Sequence, residues 1–167
     1  INTSFSASTS RQALFILVDS ENLQQVQETY KINDLNALID SIQYKASLNE
    51  TLPLIGKLTQ VAQCTLIGLD KASDVKVAKL AKIAQTIIKA SQKKFQQVSI
   101  DISALPSELH YLFALSLTQA AYGYDEYKSK KNEFSLESIE FIATQSDLNS
   151  EKLHLISAVQ KGQNFTR

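Results

Sequence analysis

Two uninterrupted apolar runs dominate the hydrophobic pattern of the chain, Ala13-Leu14-Phe15-Ile16-Leu17-Val18 and Cys64-Thr65-Leu66-Ile67-Gly68-Leu69. Apolar runs of this length that do not alternate predict strands buried on both faces of a sheet. The second run leads into a polar turn, Asp70-Lys71-Ala72-Ser73-Asp74, and then into a helical period. Val77, Leu80, Ala81, Ala84, Ile87 and Ile88 share one helix face. Ser73 or Asp74 suits the N-cap, and Asp74 also complements the positive end of the helix dipole. The stretch from Val61 to Ser91 therefore reads as the strand-to-helix half of a β-α-β unit. Its helix is expected on a sheet whose central strand includes Leu66 and Leu69.

The remaining pattern fills in around this unit. Ile1, Thr3 and Phe5 alternate, which fits a short edge strand or a loose terminus. Leu35, Leu38, Ile39, Ile42 and Ala46 form a helical stripe with Asn33 placed to cap it. Leu52 to Leu58 is apolar but contains Pro53 and Gly56. Proline lacks a ladder donor, so that strand should lie at an edge or begin at the proline. Val98, Ile100 and Ile102 alternate as a strand. Ser103 to Glu108 starts a helix carried by Leu109, Leu112, Phe113, Ser116 and Ala120, with Gly123 as its C′ residue. Ile139, Phe141 and Ala143 alternate in a last strand, and Asn149 to Thr166 reads as a last helix with Leu155, Ile156 and Val159 on its core side. The expected fold is α/β, a mixed sheet of five to six strands with helices on both faces.

Composition narrows the classes. A length of 167 residues fits one domain. Seventeen basic residues balance seventeen acidic ones, so no global field recruits nucleic acid or an anionic membrane. Cys64 is the single cysteine, which excludes an intrachain disulfide and points to a reducing, cytoplasmic setting. No apolar run reaches membrane-spanning length, and residues 1–10 lack a signal-peptide pattern. The chain has no methionine and begins at Ile1, as expected of a piece of a longer product.

Candidate chemistry is sparse. Asp19 and Glu21 follow a strand end, where carboxylates serve as turn formers more often than as metal ligands. His110 and His154 lie far apart on separate expected helices, and no His-Glu-x-x-His occurs. Cys64 inside a buried strand reads as a small core residue. No Gly-x-Ser-x-Gly is present, and Gly56, Gly68, Gly123 and Gly162 are too scattered to cradle a diphosphate. Two basic groups could contact nucleic acid. Lys76, Lys79, Lys82, Lys89 and Lys93 line the polar side of one helix, which by default is a solvated surface. Lys128, Lys130 and Lys131 follow Tyr122, Tyr124 and Tyr127 in a basic-aromatic segment.

That segment, Tyr122-Gly123-Tyr124-Asp125-Glu126-Tyr127-Lys128, resembles a Tyr-x-Phe-x-x-Tyr-Lys run in the N-terminal domain of the leucyl (cytosol) aminopeptidase family. Three further places resemble the same family. Cys64 to Lys71 is similar to its Leu-Ile-Gly-Leu-Gly-Lys strand end, and Val98 to Ile102 to the strand before its third helix. Gln160 to Arg167 is similar to the linker helix entering its catalytic domain. Asp70 and Tyr124 depart from the family's Gly and Phe, neither at a catalytic position.

The resemblance implies a macro-domain-like three-layer sandwich over residues 1–148, with 149–167 opening the linker helix. It implies a hexameric parent aminopeptidase that uses two zinc or manganese ions to remove N-terminal residues. The metal ligands and catalytic residues, including an Asn-Thr-Asp-Ala-Glu-Gly-Arg segment, would belong to a downstream domain. No catalytic or metal-binding residue carries over to this chain, which by this reading is inert alone, without a cofactor of its own. Its expected partners are that catalytic domain and further copies of the polypeptide, with no membrane. Its expected jobs are ordering the oligomer and shaping access to the active site. The alternative is a free-standing binding module, for DNA through the lysines or for an ADP-ribose-type ligand. The missing glycine cluster argues against the latter.

Overall fold

A computed structural model describes residues 12–58, 61–91, 93–126, 136 and 138–142. The strands are β1 (Gln12–Val18), β2 (Thr51–Leu54), β3 (Gln63–Gly68), β4 (Gln97–Asp101) and β5 (Ser138–Ile142). The helices are α1 (Leu23–Tyr30), α2 (Leu35–Ile42), α3 (Val77–Ser91) and α4 (Ser107–Glu126), with a 3-10 turn at Ala72–Asp74. Among the described residues the strands form one sheet in the order β2-β3-β1-β4-β5. β2 runs antiparallel to β3, and the other pairings are parallel. The mixed α/β sheet read from the sequence is thus the observed one. The expected strand at Ile1 to Phe5 and the expected helix at 149–166 lie outside the described residues.

Register explains why β1 and β3 do not alternate. Ala13, Phe15 and Leu17 point into one core with Leu80, Ile83, Ile87, Phe113 and Leu117 from α3 and α4. Leu14, Ile16 and Val18 point into a second core with Leu23, Val26, Leu35 and Ile39 from α1 and α2. Helices cover both faces, so each side chain of β1 from Ala13 onward is buried whichever way it points. Both apolar runs are interior strands, β3 lying between β2 and β1, and β1 at the middle of the five. Leu69 follows the end of β3 rather than belonging to it, although it is fully buried. Pro53 sits on the edge strand β2, where a missing N–H costs no ladder bond.

The helices differ from expectation in four places. α1 gives a weak apolar signal, since its sequence Leu23-Gln24-Gln25-Val26-Gln27-Glu28-Thr29-Tyr30 buries only Leu23 and Val26. α2 begins after Asp34, not Asn33, and Asp34 holds a left-handed φ of 59° with no side-chain cap bond. Its stripe is cut short: Leu35 and Ile39 are buried, Ile42 is half exposed, and Ala46 lies beyond the helix end. α3 begins at Val77, so Ser73 and Asp74 lie in the preceding 3-10 turn and do not cap it. Val77 is exposed at the first position and Ala81 at the rim of the stripe, while Ile83 takes a core place. Gly123 does not stop α4, which continues to Glu126.

Candidate functional site

In open α/β sheets, ligands bind beyond the carboxyl ends of parallel strands, where neighbouring strands send their connections to opposite faces. β1 and β3 form such a pair here, since β1 leads to α1 and α2 while β3 leads to α3 on the other side. The crevice between their ends is closed by the chain's own backbone. Residues 43–50 fold over it, with Gln43, Ala46 and Asn49 all at positive φ. Gly68 donates its N–H to the Glu50 carbonyl at 2.8 Å and accepts from the Asn49 N–H at 2.8 Å. The Asp70 N–H bonds the Ala46 carbonyl at 2.8 Å, and the Leu69 N–H bonds the Val18 carbonyl at 2.7 Å. The Ser20 N–H reaches the Asp70 carbonyl at 3.2 Å, tying the β1 end to the β3 end.

Side chains lock the same loop. Glu50 accepts from the Ser47 N–H at 2.9 Å, and the Tyr44 hydroxyl donates to the Glu50 carbonyl at 3.1 Å. Burial, with the Glu50 charge adding to it, pushes the Tyr44 phenol up, so the loop carries a neutral donor. Gly68 is the residue that permits the closure, because the Ala46 and Ser47 backbone lies where a side chain would be. The backbone groups that could have cradled a diphosphate are bonded to one another, while the buried Asn49 Oδ1 has no hydrogen-bond partner among the described residues.

Two carboxylates at the same sheet end, Asp19 and Asp101, are also engaged, whereas Glu21 and Asp70 are exposed. Asp19 accepts from the N–H groups of Glu21 at 3.0 Å and Asn22 at 2.7 Å, and its own N–H bonds the Asn22 side chain at 2.8 Å. This is the turn-former role, and it opens α1. Asp101, at the end of β4, accepts from the Tyr30 hydroxyl at 2.5 Å and from the Ser103 N–H at 2.9 Å. No group of three His, Cys, Asp or Glu residues among the described ones could hold a metal ion. These residues therefore do not fit a two-metal centre.

Burial pushes the Tyr30 phenol well above its ordinary range, and the Asp101 carboxylate adds to the shift by charge and hydrogen bond. A raised folded-state value means the native state holds the proton more tightly than the unfolded chain does. That stabilisation is complete below about pH 10, the unfolded tyrosine value, and is lost as pH rises beyond it. Tyr30→Phe should cost about 1–3 kcal/mol at pH 7, because it leaves a buried carboxylate with one partner fewer. It should also flatten the fall in stability above about pH 10, as read from urea midpoints across a pH series.

The other candidates are structural or apart. Cys64 is 1% exposed, and burial pushes its thiol up to about 12, so it is a neutral core residue. His110 is buried on α4, with Nε2 2.8 Å from the Leu105 carbonyl oxygen. His154, Tyr127, Lys128, Lys130 and Lys131 lie outside the described residues. Lys76, Lys82, Lys89 and Lys93 are exposed and Lys79 is half-buried, so the basic side of α3 faces away from the core.

Charge is sorted across the sheet. Residues 70–94 hold seven lysines against Asp70 and Asp74, whereas residues 19–50 hold six carboxylates against Lys31 and Lys45. The lysines of α3 make no ion pair with a described residue. The even overall balance conceals this separation.

The geometry is that of an α/β domain whose sheet carries helices on both faces and whose strand ends are closed by its own loop. The family model described as cytosol aminopeptidase family, N-terminal domain, matches residues 16–131. A "Probable cytosol aminopeptidase" of Acinetobacter baumannii is 55% identical over 165 residues, covering 99% of this chain and 34% of the relative. One from Acinetobacter baylyi is 48% identical over 160 residues, covering 96% and 33%. The chain thus spans about a third of the length of the curated relatives it matches. A mutant of tomato leucine aminopeptidase has a similar fold, with a TM-score of 0.66 at 13% identity, covering 93% of this chain and 34% of that one. The bottromycin maturation enzyme BotP, in complex with Mn, gives 0.56 at 16% identity, covering 87% and 30%. The chain belongs to the cytosol aminopeptidase family, as its N-terminal domain.

Proposed function

We propose that this chain is the non-catalytic N-terminal domain of a metal-dependent leucyl aminopeptidase. The observation that carries the reading is the alignment of nearly the whole chain with a third of an aminopeptidase at 55% identity. The site supports it, since Asp19 and Asp101 at the sheet end are held by the domain's own N–H groups and, for Asp101, by Tyr30. In this reading residues 1–148 form the domain and 149–167 lead toward the catalytic domain. The parent is a cytoplasmic hexamer whose two metal ions, zinc or manganese, sit in that downstream domain and activate the water that cleaves N-terminal residues. The N-terminal domain orders the oligomer and shapes the approach to the active site. The closed crevice beyond β1 and β3 weighs against the ADP-ribose alternative.

Metal stripping tests the reading. The full-length polypeptide should lose hydrolysis of leucine p-nitroanilide on dialysis against a chelator and regain it with Mn²⁺ or Zn²⁺. Metal analysis should find the ions on the full-length protein and none retained by the 167-residue chain. Activity indifferent to chelation would contradict it.

A further inference from the structure

We propose that residues 45–50 form a strained latch, which opens as a unit over the β1–β3 crevice while the sheet beneath it stays folded. Access to the crevice is then an equilibrium set by the latch, with the closed form favoured, rather than a fixed wall.

Left-handed backbone gathers at this place. Ala46 has a φ of 54° and Asn49 of 61°, with Gln43 at 55° just before the latch and Asp70 at 65° on the facing wall. Asn and Asp tolerate that region because their short side chains bond locally, whereas Ala and Gln have no such compensation. Non-glycine residues persist there only when their surroundings over-determine them, and they cluster where a chain has two arrangements. Asn49 adds a second cost, since its Oδ1 is buried with no hydrogen-bond partner among the described residues. Opening returns that oxygen to water and releases the strained dihedrals.

The bonds fall into two sets. Within the latch, the Glu50 N–H donates to the Ser47 carbonyl at 2.9 Å, and the Glu50 carboxylate accepts from the Ser47 N–H at 2.9 Å. Both can survive as the latch swings. Three backbone bonds join it to the end of β3, each 2.8 Å long: Asn49 N–H to the Gly68 carbonyl, Gly68 N–H to the Glu50 carbonyl, and Asp70 N–H to the Ala46 carbonyl. Groups freed by opening bond water instead, so the net loss for each is modest. The hinges lie on anchored residues. Tyr44 is buried in the core with α1 and α2, and Thr51 begins β2. The Tyr44 hydroxyl also donates to the Glu50 carbonyl, a bond made only when the latch is closed.

Leu69 provides an internal reference. It lies between Gly68 and Asp70, yet its N–H bonds the Val18 carbonyl on β1 at 2.7 Å, and opening the latch leaves that bond intact. Three consecutive amides therefore report on two events, the outer pair on the latch and the middle one on the sheet.

The test is hydrogen exchange of the full-length polypeptide, resolved to single amides by electron-transfer fragmentation. Relative to their intrinsic rates, Gly68 and Asp70 should exchange together and at least about tenfold faster than Leu69. Tyr44→Phe removes a bond of the closed form and should speed the outer pair about threefold or more. Asn49→Gly removes the strain and the unpaired oxygen, and should slow the pair by about as much. In both variants the unchanged Leu69 rate establishes that the sheet is folded. Equal protection at Gly68, Leu69 and Asp70 would overturn the proposal, because the loop would then open only with the sheet. A faster outer pair that neither substitution moves would overturn it as well, since the opening would not belong to this latch.

Discussion

Gly68→Ala should destabilise the domain by roughly 3 kcal/mol or more, at the upper end of what overpacking costs. A Cβ built on Gly68 lies 2.1 Å from the Ser47 carbonyl oxygen and 2.4 Å from the Ala46 carbonyl carbon and oxygen. All three are backbone atoms, so no side chain can rotate away. Relief requires moving residues 46–47, which are held by the bonds from Asp70 to Ala46 and from Gly68 to Glu50. The substitution therefore trades one methyl group for several ladder and loop hydrogen bonds. Urea unfolding of the wild-type and variant chains measures the effect, with a lowered midpoint expected. Equal midpoints would mean that the loop does not lie against β3. Alanine at Gly56 is a useful contrast, because a Cβ there meets nothing within 4 Å although its φ is 69°.

Phe15→Ala should cost about 3–5 kcal/mol, the transfer free energy of the ring plus the cavity it leaves. Phe15 is 1% exposed on the central strand and packs in the core formed with α3 and α4. Its strand neighbours are β3 on one side and β4 on the other, at Thr65 and Ile100. Those backbone positions are fixed by parallel ladders, so the walls of the cavity cannot collapse far. Against a total stability of about 5–15 kcal/mol for a typical domain, such a loss lowers the melting temperature sharply. Differential scanning calorimetry reads it directly. A change under about 1 kcal/mol would show that the β1 face is not closed by α3 and α4.

Much of this architecture is legible in the chain because burial on two sides leaves a plain mark. The runs at Ala13 to Val18 and Cys64 to Leu69 predict buried strands, and Pro53 predicts the edge. α1 is hidden for the opposite reason. A helix that buries two side chains and exposes glutamines has too little apolar stripe to register. The cap of α2 slips because Asp34 makes no side-chain cap bond, and the first-turn N–H of Asn36 is taken at 2.9 Å by the Gln27 side chain, nine residues back on α1. The candidate site depends still more on distance. Tyr30 and Asp101 are 71 residues apart, and nothing local to either announces the bond. The role of Gly68 needs the loop from 43 to 50 to be seen against it, although an isolated glycine at a strand end is itself a hint of close approach. The charge separation was present in the linear sequence. It acquires meaning only once α1 and α2 are known to lie across the sheet from α3.

Family membership is clear from the matched N-terminal domain, and the sequence motifs at Cys64 to Lys71 and Tyr122 to Lys128 already resembled that family. The central claim is that the chemistry lies outside these residues. The most direct measurement compares hydrolysis of leucine p-nitroanilide by the purified 167-residue chain and by the full-length polypeptide, each with added Mn²⁺. The account expects turnover by the full-length protein and only the background rate from the chain alone. Turnover by the chain that survives repurification and tracks its folded fraction would contradict it.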